Sequence, residues 1–551
     1  MHAPRTTTAA LASLTCALAL SACSGGGSAA KAPQEVKLTT TTPAAGKPLD
    51  SVTWNLTTGE PTTLDPARVG DYSPSTVGSN LCEPLVRLKA DYSYKPGLAT
   101  SWHRPDSRTL VLELRKGVTF WNGRPMTSKD VVASLLRQRD PATQAVTPQA
   151  FTAVSTIKAT GKHQVTVRFK ASDQLFVKYL IGGFGQVSEA SYLRKAGKAY
   201  GTAKGGLMCT GPFELTRWES GESITAVRND AYWDTSLRPK AKKLTFKFIT
   251  DQSTLTSALL SGQIDGSYEI PSTTARALRD SKAGHLYYGP SAQTAYLYPT
   301  SGASPLADRR IARALSLVLD RDALIRNVYD GAAQKLKTVI PSMVWKNSKA
   351  ADVYAKAYDR LPAVPAVDLA GARKLVGEAA PKQRTISIAM PAGDQQSLQT
   401  LTFLQAGAKK IGLKVDIRQL QPTQMSSLFY DPSVRKGLDA TVVVGYVEIP
   451  DPVTYAELFT APGSPLNWIN YRNPKVTSLL ERAKAAESVE ENAKLFGQAQ
   501  ALYSDELPIV PLACPYERVF LNKRLSGAPA SFAYINMPWA AHLGGTGEGS
   551  S

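Results

Sequence analysis

Thiols, imidazoles and activated hydroxyls are the side chains best able to do covalent or metal chemistry, and this sequence holds few of them in useful spacings. Its 551 residues include five cysteines (Cys16, Cys23, Cys82, Cys209, Cys514) and five histidines (His2, His103, His163, His285, His542). The histidines are isolated, and no CxxC or HxxxH spacing offers a tetrahedral metal site. An SxxK pattern occurs at Ser28, Ser155 and Ser433. Two fixed letters recur by chance, and neither a GxSxG elbow nor a Gly-rich phosphate loop accompanies them. The residue types therefore argue for no catalytic centre, no metal and no cofactor. The one thiol with an evident chemical fate is Cys23.

Cys23 closes an uncharged run from Ala9 to Ala22 that follows Arg5, the first basic residue. A charged start, a short apolar run and small residues at its end describe a secretory signal peptide. The run is shorter than the roughly 20 residues a membrane-spanning helix needs. Leu20-Ser21-Ala22-Cys23 resembles the bacterial lipobox, in which the thiol receives a diacylglycerol. Residues 1–22 are thus expected to be a lipoprotein signal peptide. Residues 23–50, "CSGGGSAAKAPQEVKLTTTTPAAGKPLD", are expected to be the lipidated cysteine and a flexible tether. Such a chain is anchored to the extracytoplasmic face of a membrane rather than spanning it. Cys16 falls within the signal, so Cys82, Cys209 and Cys514 remain for an oxidising compartment, enough for one bridge and one leftover thiol.

The body that follows is too long for one ordinary domain, and at least two lobes are expected. Its composition, 43% apolar and 20% charged, is that of a folded protein. The net charge of +19 is spread along the chain, with Lys240 to Lys243 the one short cluster. That spread suits solvation and attraction to an anionic envelope, and no nucleic-acid partner is expected.

The elements read from period and punctuation are mixed α and β. "TLVLELR" and "HQVTVRFK" alternate as strands, and "WNGRP" is a turn. "MTSKDVVASLLRQ" is a helix with Thr127 or Ser128 as its N-cap. "GPFELTRWESGESITAVRN" is a hairpin turning at Ser220-Gly221. "ADRRIARALSLVLDRDALIRNVY" is a long amphipathic helical region, "RTISIAM", "LQTLTFLQAGAKKIG" and "LKVDIRQL" form a βαβ unit, and "PIVPLACPYERVFL" is a late strand. Gly117, Gly123 and Gly211 are expected to serve turns.

In order along residues 52 to 530, "NLCEPLVRL", "PGLATSW", "LELRKGVTFWNGRPMTSKDVVASL", "CTGPFELTRWESGESITAVRNDAYWD", "ADRRIARALSLVLDRDALI" and "PDPVTYAELF…NYRNPKV" resemble the extracytoplasmic solute-binding proteins of ABC importers, in the oligopeptide, dipeptide and nickel group. The resemblance implies an α/β, two-lobed periplasmic-binding-protein-like fold of the large peptide-binding type, with an extra subdomain in the first lobe. Residues 51–84, 207–290 and 505–545 would form the first lobe, 85–206 the inserted subdomain, and 291–504 the second, ligand-binding lobe. It also implies a monomer that hands a small solute, an oligopeptide first of all, to permease and ATPase subunits. A sugar or other solute, and a sensor or scaffold lipoprotein that imports nothing, stay open as alternatives.

The same resemblance supplies candidate ligand contacts. The Glu of a "YEGL"-like phrase falls on Glu83, and a pair of alternating aromatics on Tyr296 and Tyr298. The phrase whose carboxylate meets a peptide ammonium falls on "GYVEIPDP", where Tyr446 replaces Trp and Glu448 is the nearest carboxylate. Trp468 and Asn470 follow in a loop expected to line the cleft. A carboxylate with aromatics suits a peptide, neutralising the ammonium and covering apolar side chains; Trp121, Trp468 and the tyrosines would equally stack on a sugar ring. Tyr232 and Trp233 would be wedged between lobe segments, and Asp320 and Arg321 would cap and pair within their helical region. A Cys82–Cys209 bridge is implied because both segments belong near the base of the cleft in this family, which leaves Cys514 free.

Overall fold

The computed structural model describes residues 36–146, 148–380, 383–429, 431–464 and 466–547. The signal peptide and Cys23 lie outside the described residues. Among those described, no helix is long and apolar enough to cross a membrane.

Three large sheets organise the chain. The first has seven strands in the order Gly284–Gly289, Glu517–Asn522, Gly266–Ser267, Leu49–Asn55, Ala241–Lys247, Ser223–Arg228 and Phe213–Glu219. Leu49–Asn55 runs parallel to both of its neighbours, and the other pairs are antiparallel. Its alternation places Val52 and Trp54 in the core, where Trp54 meets Trp539 at 4.4 Å between ring centroids. The second sheet has six strands in the order Ala333–Gln334, Val510–Pro515, Gln293–Pro299, Ala440–Tyr446, Thr385–Pro391 and Lys414–Leu420. Its last two strands are parallel and joined by the helix Gln395–Lys409, the βαβ unit read from the sequence. The third sheet is antiparallel, ordered Ala99–Asp106, Thr109–Leu114, Gln164–Phe169 and Val154–Gly161, all within the 85–206 segment.

Local signals set the element ends. Thr127 caps the helix Ser128–Arg137, and Asp130 returns the bond to the cap backbone, a reciprocal capping box. The hairpin after Phe213 turns at Gly221, whose φ of 78° favours glycine. Gly211 serves a different need from a turn: a Cβ there would stand 2.2 Å from the Leu81 carbonyl, one residue from Cys82. The long helical region consists of two helices, Arg309–Leu317 and Arg321–Asn327, each started by its own aspartate, Asp308 and Asp320. Arg321 is buried and, among the described residues, pairs with no carboxylate; its guanidinium donates to the Pro511 and Ser316 carbonyls.

Two expectations need correction. "PIVPLACPYERVFL" is not one strand. Val510–Pro515 belongs to the six-stranded sheet and Glu517–Asn522 to the seven-stranded one, so 510–515 does not lie with the first lobe's sheet. Pro515 pairs with Ala333 and the Tyr516 amide donates to the Ala332 carbonyl, so the pairing with 333–334 runs to Tyr516 before the chain enters the other sheet at Glu517. Nor is all of 36–50 a free tether. The Thr39 amide bonds the Tyr288 carbonyl at 2.8 Å, the Thr42 hydroxyl bonds the Ala528 carbonyl at 2.9 Å, and Leu49 opens a strand. A polar segment without large apolar groups is held here by backbone bonding to sheet edges, which composition does not report.

Candidate functional site

The chain passes between the two large sheets at 289–293, leaving Gly284–Gly289 for Gln293–Pro299, and again at Pro515–Glu517. Around these crossings the two sheets face each other through polar and aromatic groups. Tyr72, first residue of the helix Tyr72–Leu81, donates its hydroxyl to the Val444 carbonyl at 3.1 Å. Its ring lies 4.8 Å from Tyr446 and 5.8 Å from Phe532, and those two are 5.2 Å apart. Gln293 of the second sheet donates to Glu269 Oε1 at 2.8 Å, while the Glu269 amide donates to Glu517 Oε1 at 2.9 Å. Buried Arg518 donates to Ser272 Oγ at 2.6 Å, and Ser272 in turn donates to Gln396 across the gap at 2.8 Å. Asn536 Nδ2 donates to the Glu448 backbone carbonyl at 2.9 Å.

The carboxyls at this junction differ in exposure. Asp71 is exposed, and Glu269 and Glu448 are half-buried. All three nevertheless feel desolvation strongly. Burial pushes Glu448 up to about 8. It raises Glu269 well above the carboxylate range, helped by the charges of Glu517 and Asp71 and opposed by Arg518. It raises Asp71 despite the bond from the Tyr72 amide, and Glu517 to about 7 despite the bond from Glu269. The Tyr446 hydroxyl is driven up by burial first, then by the charges of Glu448, Tyr72, Asp71 and Glu269. Among the described residues no three His, Cys, Asp or Glu side chains stand close enough to share a metal ion. The arrangement suits a water-excluding grip on an organic solute, with aromatic walls and separated carboxylates.

Of the residues singled out in the sequence, Tyr446 and Glu448 lie at this junction. Tyr296 and Tyr298 do not present free surfaces: both are buried, each ring lies within 6 Å of Phe459, and Tyr298 donates to the Leu466 carbonyl at 2.5 Å. Trp468 packs on Tyr298 at 5.2 Å, with the Arg435 guanidinium 4.7 Å from its ring. Asn470 is exposed in a turn with φ of 53° and accepts from Arg472, away from the carboxylates. Glu83 is 1% exposed and fully engaged, accepting from Arg87 Nε at 2.8 Å and from the Tyr232 hydroxyl. Arg87 also meets Asp234 at 2.6 Å and lies under Trp233 at 4.6 Å, so Tyr232 and Trp233 serve this buried network rather than a lobe junction. Next to it Cys82 and Cys209 form a disulfide with Cα atoms 4.9 Å apart, and Cys514 is buried and free.

Asp71, Tyr72, Glu269, Gln293, Glu517 and Arg518 were not singled out in the sequence. One signal was available. Glu517-Arg518 is a charged pair inside a strand whose every residue is buried, and such charges stay buried only when partnered or used. Glu269 carries no local signal, although its φ of 56° is uncommon for a residue other than glycine.

The model of the bacterial extracellular solute-binding proteins, family 5 Middle, matches residues 93–466. The glutathione-binding protein GsiB of Escherichia coli (strain K12) is 24% identical over 473 residues, covering 85% of this chain and 89% of GsiB. The oligopeptide-binding protein AppA from Bacillus subtilis, solved in complex with a nonapeptide, superposes with a TM-score of 0.78 at 18% identity over 91% of this chain and 100% of its own. The binding protein AgaA from A. tumefacien R10, solved with agropinic acid, also gives 0.78, at 21% identity over 90% of this chain and 99% of its own.

Proposed function

The chain belongs to family 5 of the bacterial extracellular solute-binding proteins, the solute-capturing components of ABC importers, and from that membership we propose that it captures a peptide or peptide-like solute by closing its two lobes. A lipid on Cys23 then holds it at the outer face of the cell membrane, where the closed form delivers its solute to the permease and ATPase. The observation that carries the solute class is Glu448: a carboxyl that burial pushes up, two residues beyond Tyr446, with its backbone carbonyl held by Asn536. An ammonium group satisfies that carboxylate, and the Tyr72, Tyr446 and Phe532 rings cover apolar side chains. Closure removes water from both partners and turns occupancy into a shape that a transporter can recognise.

Mass spectrometry of the solute extracted from purified protein, followed by calorimetry with a random tripeptide pool and a set of oligosaccharides, tests this reading. Binding from the peptide pool alone supports it. Binding of sugars alone defeats it, and a protein that binds neither belongs with sensors or scaffolds.

A further inference from the structure

A cavity of about 200 Å³ is built from stretches far apart in the chain, and none of its lining residues is among those that meet at the junction of the two large sheets. Leu88, Leu237 and Met537 supply apolar surface to it, and Arg87, Lys95 and His542 supply nitrogen. None of the described residues that line it is acidic.

The cations of this cavity differ in how far they are answered. Arg87 is answered from behind, by Glu83 at 2.8 Å and Asp234 at 2.6 Å. Lys89, also in the lining, pairs with Asp91 at 3.5 Å, and both are half-exposed, so the pair holds it weakly. Lys95 is half-buried, and among the described residues its ammonium makes no ion pair or hydrogen bond. Burial lowers that ammonium first and Arg87 adds to it, while Asp234 and Glu83 oppose. The His542 imidazole is pushed down to about 4, by burial first and then by Lys95, Lys240 and Arg87. The charges acting on it are all cations. A half-buried ammonium without a partner is costly, and a cavity with cations in its lining and no carboxylate lacks a counter-charge.

We propose that this cavity is a second ligand site, separate from the solute site, for a small organic anion whose acidic group meets Lys95 and His542 beside Arg87 while a short apolar body lies on Leu88, Leu237 and Met537. It stands independently of the solute class argued above. The acidic group supplies the missing counter-charge and accepts from the imidazole N–H, and the apolar surface keeps water from competing. A dissolved organic acid and the glycerophosphate headgroup of an anionic lipid share this chemistry. Thr41 lines the cavity and belongs to the segment that runs back toward Cys23, so a membrane is one source and solution the other.

Calorimetry on the purified full chain with phenyl phosphate, inorganic phosphate and benzylamine tests the site. Phenyl phosphate is expected to bind once per chain and about tenfold tighter than inorganic phosphate, because only the former covers apolar surface. Benzylamine is expected to give no binding heat. Lys95→Met keeps the stem without the charge, and His542→Phe keeps a planar ring without its N–H. Each is expected to weaken phenyl phosphate by about tenfold or more while the thermal transition stays in place. Displacement of phenyl phosphate by phosphatidylglycerol vesicles but not by phosphatidylcholine vesicles sustains the site and names the lipid as its source; no displacement by either sustains it and names a dissolved acid. Absence of phenyl phosphate binding overturns the proposal. So does full-strength binding in both variants, which places the anion elsewhere, or equal binding of benzylamine, which an apolar hollow alone would give.

Discussion

Glu448 concentrates the chemistry of the site in one residue. Its carboxyl has moved from an ordinary 4.5 up to about 8, and burial is the cause. The folded, solute-free protein therefore holds a proton here between those two values that the unfolded chain has released. Native-state stability falls as pH rises across that window, the reverse of a salt-bridged carboxylate. Solute-free protein is expected to melt at a lower temperature at pH 8.5 than at pH 6, a trend that Glu448→Gln should flatten in differential scanning calorimetry. An arriving ammonium favours the carboxylate and expels the proton. At neutral pH the binding enthalpy should then vary with the ionisation enthalpy of the buffer. Loss of the carboxylate should abolish that variation for this group and weaken binding of the tripeptide pool by more than about tenfold, since charge-assisted bonds contribute about 1.5–3 kcal/mol. Buffer-independent enthalpy with unchanged affinity in Glu448→Gln would show that no ammonium sits there.

At the scale of elements, the segments around Lys178 and Asp451 are tied together through a helix start. Asp451, fully buried, caps the helix Pro452–Thr460 by accepting from the Val453 and Thr454 amides at 3.0 and 3.1 Å, and it also receives Lys178 Nζ at 2.5 Å. The two roles separate by substitution. Asp451→Asn keeps the cap and loses the charge pair. Asp451→Ala loses both, and the cap alone is worth about 1 kcal/mol. Lys178 remains 31% exposed, so water compensates part of the lost pair. Chemical denaturation should place Asp451→Ala below Asp451→Asn by about 1 kcal/mol; equal stabilities would show that the cap contributes nothing. The crossing at Tyr516 is the other decisive element, because it sets Glu517 and Arg518 at the site immediately after leaving the opposite sheet.

For the whole molecule, the Cys82–Cys209 bridge closes a loop of 127 residues. The chain-entropy model assigns such a loop about 5 kcal/mol of stability. Cys82→Ser is expected to lower unfolding stability toward that amount in denaturant titrations, and a change below about 1 kcal/mol would show that the inserted segment is already constrained without it. Cys209 lies two residues from Gly211, whose amide bonds the Leu81 carbonyl, so the bridge reinforces an existing backbone contact. The proposed anchor is tested at this scale too. Cys23→Ser should release the protein from the membrane fraction or leave its leader uncut, and membrane-bound, normally processed variant would refute lipid attachment. A strongly basic protein (net charge +19 for the full chain) at an anionic surface would then stay close to it even without a lipid at low salt, so the fractionation belongs at high salt.

The sequence by itself determined what short-range physics encodes. The Thr127 and Asp130 capping box, the Gly221 hairpin turn, the aspartate-started helices and the βαβ unit at 385–420 are written within a few residues of where they act. Ordered phrases along the chain determined the family, and Tyr446 and Glu448 were reached through it. Tertiary structure decided the rest of the site. Asp71, Glu269 and Glu517 are far apart in the chain, and nothing local distinguishes Asp71 and Glu269 from solvated carboxylates. It also turned Glu83 into a partner of Arg87 and left Asn470 in an exposed turn, although both fit the family's phrases. Burial, desolvation and the sign of the surrounding charge depend on which side chains stand opposite. Two sheets exchanging strands at 289–293 and at Tyr516 fixed that, and local pattern carries no record of it.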